Sequence, residues 1–558
     1  MFKTYTYPEF DYTRSADQDA ATTAHHPVIV VGAGPIGMAA AIDFAQYGVD
    51  VVILDDRSTV SVGSRAVCYA KRFLDISDRL GLGQRAVNKG VTWNLGRVFF
   101  EDDEIYNFNM LLEEHHRRPG FINLQQYYLE EYMVDRVNEL PAADLRWKNK
   151  VTKVQQTVDI VRLTVETPEG PYELSCDYLL ACDGATSNVR FQCGLESKGQ
   201  IFHDRFLIAD VIMDPKKFPA ERWFWFKPPF HEGQSTLLHR QADNLWRIDF
   251  DLGWDADPEE EKKPENIIPR VKAFLGDEVD FELEWASVYT FTCRRMDEFR
   301  KGRIFFAGDA AHQVSPFGAR GANSGIEDAD NLVWKIKAVM DGLAPASLLN
   351  SYSDERTFAA DENILNSTRS TDFITPKNVQ NKAFRDAVLK LAKNYTFARP
   401  LVNSGRLSVP PILTESALNT ADSSNFECKI VPGAPCTDGP ILLNGEETFM
   451  LTELGNTFNG LLFIDSHANL DPSVVAQLAE LAQQAMPVKT FIVASHEMDL
   501  DLPEGVELAV DTKGVVKQRL DAQAGTFYLT RPDQLVTARM RTFDKAAVDA
   551  AQNKALGN

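Results

Sequence analysis

The chain has 558 residues, 44% of them hydrophobic and 25% charged; these are globular values, and the length calls for about three packed units. The 80 acidic residues against 58 basic ones leave a net charge of -22, which argues against nucleic acid as a partner and is accounted for by a solvated acidic surface. The first 26 residues hold no apolar stretch of signal-peptide length and no later segment approaches a membrane span, so a cytoplasmic protein with no membrane partner is expected.

Residues 1–26 read as an irregular arm rich in Thr, Ala and Asp. The apolar run Pro27-Val28-Ile29-Val30-Val31 then leads into Gly32-Ala33-Gly34-Pro35-Ile36-Gly37 and Met38-Ala39-Ala40-Ala41-Ile42, a succession of strand, tight turn and helix. In that setting the glycines let the backbone turn sharply and approach a pyrophosphate, while the helix start offers unpaired N–H groups to the anion. The helix should run to about Tyr47 and stop at Gly48. Val51-Val52-Ile53-Leu54 is the next strand, and Asp55 closes it where a carboxylate can accept both hydroxyls of an adenosine ribose. By itself this fingerprint does not separate NAD from FAD. Residues 66–80 carry a helical pattern ending near Gly81, and Arg65, after Ser61-Val62-Gly63-Ser64, opens it.

Two later motifs decide between the cofactors. Asp177-Tyr178-Leu179-Leu180-Ala181-Cys182-Asp183-Gly184-Ala185 continues through Ser187 to Arg190, and Gly302-Arg303-Ile304-Phe305-Phe306-Ala307-Gly308-Asp309-Ala310-Ala311-His312 continues through Pro316 to Gly318-Ala319-Arg320-Gly321-Ala322-Asn323. In order and spacing the set resembles the single-component FAD-dependent aromatic hydroxylases (group A flavoprotein monooxygenases), a family that includes 3-(3-hydroxyphenyl)propionate hydroxylase and phenol hydroxylase. The resemblance covers roughly residues 27 to 400.

What the resemblance implies is an enzyme that takes electrons from NAD(P)H and, through a flavin hydroperoxide formed with O2, hydroxylates a small phenolic substrate. Asp56 and the acidic surface favour NADH over NADPH. The implied FAD contacts are Gly32, Gly34, Pro35, Ile36, Gly37 and Asp55 from the first motif, and Arg65 at the phosphates. Gln126, with Gln125 as its rival, lies on the flavin side; Val151 meets the adenine through its backbone; Asp183 and Gly184 come from the second motif. Gly308, Asp309, Pro316, Gly321, Ala322 and Asn323 complete the set, and the helix beginning near Asn323 points its N-terminus at the flavin N1/C2=O edge. Arg190 either holds the Asp183 loop or reaches the nicotinamide nucleotide.

The catalytic base stays unassigned, because Val67 stands where some relatives carry a histidine. Tyr69, His239, Arg240, Arg247 and Asp249 are candidates, each also readable as a structural residue; Arg247, His239 and Tyr69 lead, with Arg247 preferred.

Between about 200 and 295, alternating stretches such as Arg222-Trp223-Phe224-Trp225-Phe226 and Leu245-Trp246-Arg247-Ile248-Asp249-Phe250 predict an antiparallel substrate sheet. Trp223 to Pro228 also resembles the WxWxIP signature of flavin-dependent halogenases, with Lys227 in place of isoleucine; we read the tryptophans as one face of the sheet. A halogenase or a polyketide-type aromatic oxygenase is the alternative. A long helix from about Ser324 to Met340 follows, and prolines at 400, 410, 411, 432, 435 and 440 mark a linker. From Ile441 strands and helices alternate, with Gly460–Ile464 and Thr490–Val493 as strands and Tyr528–Asp533 as the last strand and turn.

The expected fold is therefore α/β: an N-terminal arm (1–26), a Rossmann-like FAD-binding domain in two parts (27–200 and 296–400), a substrate sheet (201–295), a linker (401–440) and a C-terminal domain (441–558) that the resemblance to these hydroxylases implies is thioredoxin-like. The thioredoxin dithiol is missing: Phe463-Ile464-Asp465-Ser466-His467 holds no cysteine, which makes the domain a packing or dimerisation module and a homodimer compatible with the class. The seven cysteines, at 68, 176, 182, 193, 293, 428 and 436, show no CxxC pair or metal-like spacing, so reduced thiols and no metal are expected.

Overall fold

The computed structural model describes residues 3–63, 65–111, 113–231, 234–403, 407–466 and 470–558; Ser64 and His467, parts of two sequence readings, lie outside them. Its first layer is an eight-stranded sheet. β1 (Ala24–Val31) lies at its centre, paired in parallel with β2 (Val51–Leu54) on one side and with strand Gly170–Ala181 on the other, which in turn pairs in parallel with Ile304–Phe306. Val28, Ile29 and Val30 are fully buried, which is why this strand is a continuous apolar run. α1 (Pro35–Gln46) packs over β1 and β2 and against helix Gly321–Met340, and Gly48 takes φ +71 just past the end of α1. The three sequence motifs thus converge at the carboxyl ends of neighbouring parallel strands, where α/β folds bind ligands.

One predicted element differs. In place of a helix over 66–80 there is a short strand, β3 (Cys68–Ala70), followed by α2 (Lys71–Arg79), so Arg65 precedes a strand and does not open a helix. β3 pairs with Phe121–Asn123, and the side chain of Asn323 takes the N–H of Ala70 at 2.8 Å and donates to the carbonyl of Cys68 at 2.9 Å. Partners from 50 and 250 residues away override the local helical preference.

The second sheet has seven strands, in the order 281–289, 205–213, 245–253, 236–240, 222–226, 95–100 and 103–109. It is mixed, not purely antiparallel: 222–226 and 95–100 run parallel. Its last two strands come from 95–109, inside the stretch assigned by sequence to the FAD part. One face packs Trp225, Leu238, Trp246, Ile248 and Phe250 against Ile267, Val271 and Leu275 of helix Pro264–Leu275, with Trp223 at its margin. Strand alternation sends Asp210, Arg222, His239, Arg247 and Asp249 to the opposite face.

The third sheet also has seven strands, ordered 446–449, 440–443, 506–510, 488–494, 458–463, 527–530 and 536–540. Tyr528–Asp533 is not its end: strand Val536–Met540 and helix Lys545–Ala555 follow. The proline-rich stretch packs against that strand, with Thr420 N bonded to Thr537 O at 2.8 Å and Gly433 N to Val536 O at 2.7 Å. Among the described residues no helix is long and apolar enough to cross a membrane.

Candidate active site

The turn after β1 assigns a different task to each glycine. Gly32 has φ +105, and a Cβ there would lie 2.5 Å from the carbonyl oxygen of Cys182, at the end of the neighbouring strand. A Cβ on Gly37 would lie 1.9 Å from the carbonyl of Gly32. Around Gly34 nothing comes within 4 Å of a built Cβ, and α1 starts there with Pro35 in its first turn and no side-chain cap. The first and third glycines serve internal packing; the second borders open space beneath uncapped N–H groups, which fits a pyrophosphate.

Asp55 is buried at the end of β2 and already saturated. Its Oδ2 accepts from Ala33 N at 2.6 Å and Arg57 Nη2 at 3.1 Å, and its Oδ1 from Arg57 N at 2.9 Å and Arg57 Nε at 3.0 Å. These bonds fill the roughly four acceptor positions of a carboxylate. Arg57, which the sequence reading passed over, is therefore the group that ribose hydroxyls would have to displace.

The second and third motifs are tied together by Arg190, which donates to Ala310 O at 2.6 Å and Ala185 O at 2.8 Å, while Asp183 accepts from Val189 N at 3.0 Å. This is the loop-holding alternative for Arg190. Gly184 and Gly308 take φ +79 and +59, and a Cβ on Gly308 would stand 3.0 Å from Ile36. Asp309 is exposed, yet protein crowds its carboxyl: desolvation raises its pKa, and His312 and Arg65 pull it back. Arg65 thus lies within electrostatic reach of Asp309.

Sequence reasoning missed the centre of this cluster. Asp328, fully buried in helix Gly321–Met340, accepts from Gly308 N at 2.9 Å, His312 at 2.7 Å and Arg356 Nε at 2.7 Å. Burial alone would raise its pKa; His312 and Arg356 outweigh it and hold the carboxyl low. An aspartate on the buried stripe of a helix just after the third motif was the available signal.

Pro316, Gly318 (φ +99) and Ala319 (φ +54) turn the chain into the helix that opens at Gly321, whose N-cap, Arg320, makes no side-chain cap. The backbone N–H groups of Gly321, Ala322 and Asn323 thus point out of the helix end. The side chain of Asn323 is occupied with β3, as described above. Gln126 is half-buried and receives Ala66 N at 3.0 Å, whereas Gln125 is buried and donates to Ala242 O at 3.1 Å, toward the second sheet. Val151 lies in strand Lys150–Gln156, where its carbonyl accepts from Asn188 at 3.1 Å.

On the second sheet, register brings Asp210, Arg247, His239 and Arg222 into one row across four strands. Arg247 is buried and forks onto Asp210 at 2.9 and 3.1 Å, and it also reaches the carbonyl of Arg65 at 3.4 Å, which links the sheet to the Arg65 loop. His239 lies with Nδ1 3.7 Å from Cys68 Sγ, and its buried Nε2 has no partner. Desolvation, then Arg247 and Arg222, push it well below the ordinary histidine value, so it is neutral at pH 7. Asp249, next to this row, is pushed up to about 7 by burial, against the pull of Arg247, and its buried Oδ1 has no partner either. Tyr289 stays protonated far above its usual range, through burial and then Asp249. Two of the sequence candidates stand apart: Tyr69 packs on Phe73 with its hydroxyl on Ala66 O, and Arg240 lies over Trp246 on the opposite face. Among the described residues no group of three or more His, Cys, Asp or Glu side chains is placed to hold a metal.

A glycine-lined turn at the strand ends, an uncapped helix start and a charged sheet face alongside are the parts that a FAD-dependent monooxygenase uses. The chain belongs to the FAD binding domain family, whose model matches residues 25–367. It is 25% identical over 518 residues to the 3-(3-hydroxy-phenyl)propionate/3-hydroxycinnamic acid hydroxylase of Mycolicibacterium smegmatis, covering 91% of this chain and 89% of that one. It is 29% identical over 384 residues to the 12-dehydrotetracycline 5-monooxygenase/anhydrotetracycline 6-monooxygenase of Streptomyces rimosus, covering 66% and 73%. Among solved structures, the flavin-dependent monooxygenase PieE in complex with FAD and substrate superposes with a TM-score of 0.79 at 20% identity, over 96% of this chain and 99% of that one.

Proposed function

We propose that this protein uses NADH, O2 and FAD to hydroxylate a phenolic ring, and that Asp249 takes the phenol proton. The observation that carries the reading is the pair of buried, unpartnered atoms, Asp249 Oδ1 and His239 Nε2, on one charged sheet face. A buried polar atom without a partner is costly, so each needs a group the protein does not supply, and a substrate hydroxyl meets that need. Asp249 titrates near 7, where a general base is most effective. Arg247, held as a cation by Asp210, favours negative charge at that face. These geometries move Asp249 and His239 ahead of Arg247 and Tyr69 as catalytic candidates.

FAD, when bound, supplies the electron transfer and oxygen activation. The protein's part toward it is the open side of Gly34 and the start of α1 for the pyrophosphate, Asp55 for the ribose, and Arg65 and Asp309 for the phosphate and ribityl stretch. The N–H groups of Gly321, Ala322 and Asn323 serve the flavin edge that gains negative charge on reduction. Exposed Asp56 supports NADH, since a 2′-phosphate would meet like charge there. The C-terminal sheet, with parallel strands 458–463, 488–494 and 506–510 beside an antiparallel hairpin, supports a thioredoxin-like unit without a dithiol. We read it as a packing module in a cytoplasmic enzyme that pairs as a homodimer, and propose the sequence-based domain bounds with strands 95–109 joined to the substrate sheet.

The Streptomyces relative, which matches over 384 residues, supports a second reading in which the substrate is a larger polycyclic phenol. Trp223 and Trp225, turned to the apolar layer, give a halogenase no support. A panel of simple and polycyclic phenols, assayed for NADH oxidation coupled to hydroxylated product, separates the readings. NADH oxidation that yields only hydrogen peroxide with every phenol would overturn the hydroxylase assignment.

A further inference from the structure

The N-terminal arm, irregular by sequence, is anchored along most of its length. The N–H groups of Lys3 and Thr4 each donate to Glu284, on edge strand Phe281–Tyr289 of the second sheet, at 2.8 Å, and the Thr4 hydroxyl does so at 2.8 Å. Tyr5 stacks on Tyr127 with ring centroids 4.2 Å apart and donates to Glu131 at 2.7 Å, both on helix Gln126–Asn138 of the FAD unit. Pro8 O accepts from the Thr59 hydroxyl at 2.6 Å, Phe10 N donates to Ser58 O at 2.7 Å, and the Phe10 ring stacks on Trp147 at 4.6 Å. Between these anchors the Tyr7 hydroxyl accepts the N–H of Gly63 at 2.9 Å.

Gly63 is a constrained point. It takes φ +79, and a Cβ there would stand 2.7 Å from the Trp285 ring on the same edge strand. Two residues further, the carbonyl of Arg65 accepts from Arg247, and the next N–H, that of Ala66, donates to Gln126 Oε1. The arm thus joins the FAD-unit helix, the edge of the second sheet and the loop that carries Arg65.

We propose that residues 3–10 are a strap that retains FAD, and that Tyr7 is a positioning residue: its hydroxyl fixes Gly63 and so sets where Arg65 meets the cofactor phosphates. The proposal rests on the reading of Arg65 as a phosphate contact. Tyr7→Phe keeps the ring packing against Tyr5 and Tyr127 and removes the hydroxyl that accepts from Gly63; Glu284→Ala releases the other end of the strap.

The test is the rate of FAD release from the full-length holoenzyme, followed by the rise in free-flavin fluorescence on dilution, with the melting temperature of each apoprotein as control. Tyr7→Phe should release FAD about fivefold faster, the factor one net hydrogen bond carries, and Glu284→Ala at least as fast, while the apoproteins melt with the parent. In an Arg65→Ala background Tyr7→Phe should add nothing, because both act through one contact. Unchanged release in Tyr7→Phe, with Arg65→Ala releasing FAD quickly, overturns the strap alone. Full FAD retention in Arg65→Ala overturns the phosphate reading and the strap with it. Faster release matched by a fall in apoprotein melting temperature makes Tyr7 a general stability residue and also overturns the proposal.

Discussion

The cofactor end and the sheet face differ in what they are made of. At the cofactor end the working parts are backbone: three glycines in one turn, positive φ at Gly32 and Gly308, and N–H groups at the starts of two helices. At the sheet face they are side chains from several strands, and each owes its charge state to its neighbours. Backbone sites are specified by short contiguous motifs, because only glycine tolerates those conformations and contacts. Side-chain sites are specified by register between distant segments. Mutations should therefore act by shape in the first region and by charge in the second.

The largest effect should come from the shape rule, and two neighbouring glycines test it in opposite ways. Gly37→Ala places a methyl 1.9 Å from a backbone oxygen, so the apoprotein should lose most of its soluble yield or melt ten degrees or so lower. Gly34→Ala meets nothing within 4 Å at φ -78, so the apoprotein should melt as the parent does and yet purify without flavin. Melting temperature and flavin-to-protein ratio read both. Flavin retained in Gly34→Ala would erase the distinction between packing and cradle glycines.

At the sheet face, Asp249→Asn should keep FAD and lower turnover by about 10²–10⁴, the usual weight of general-base catalysis. The parent's turnover should rise with pH through about 7, where Asp249 loses its proton, and the variant should lose that limb. The stability effect has the opposite sign. A carboxyl whose folded pKa is raised contributes stability below its unfolded value, near 3.8, and that contribution is lost as pH climbs through about 7. Asp249→Asn should therefore melt higher than the parent at pH 8 and gain nothing at pH 4. A variant less active and less stable at pH 8 would mean that Asp249 is structural.

The Asp210–Arg247 pair sharpens the contrast, being charge serving shape. Removing one member of a buried ion pair strands the other, so Arg247→Met should cost about 3–5 kcal/mol in urea unfolding, with the double variant Arg247→Met, Asp210→Leu recovering part of it. If the single variant unfolds like the parent, the pair does not hold the sheet to the Arg65 loop.

How far the sequence could be read follows the same division. The nucleotide turn, β2 and a helix beginning near Asn323 were legible because their signals lie within a few residues; that this helix starts at Gly321 without a side-chain cap was not. The strand over 68–70 was not, because its partners are Phe121–Asn123 and Asn323. Nor was the row joining Asp210 to Arg222, which exists only once four strands are in register. Leu95–Phe100 alternates between half-buried and buried residues, but nothing local says that it pairs in parallel with a strand over a hundred residues away.

Asp55 is where the two kinds of site meet, and it carries the smallest predicted effect. Its four acceptor positions are filled, one by Ala33 N and three by Arg57, so the ribose reading requires an exchange. Two of the three bonds come from the Arg57 guanidinium, which can swing away toward Ser61 and Glu130, 3.0 and 3.9 Å from its Nη1. If ribose hydroxyls take those two positions, Asp55→Asn weakens charge-assisted bonds of about 1.5–3 kcal/mol, and the FAD Kd should rise roughly ten- to hundredfold. Arg57→Ala removes only the displaced competitor, and the Kd should move less than about threefold, since the lost cation offsets the freed acceptors. Equilibrium titration of apoprotein with FAD measures both. The reverse order, with Arg57→Ala the more damaging, would assign the ribose to the guanidinium and make Asp55 its support.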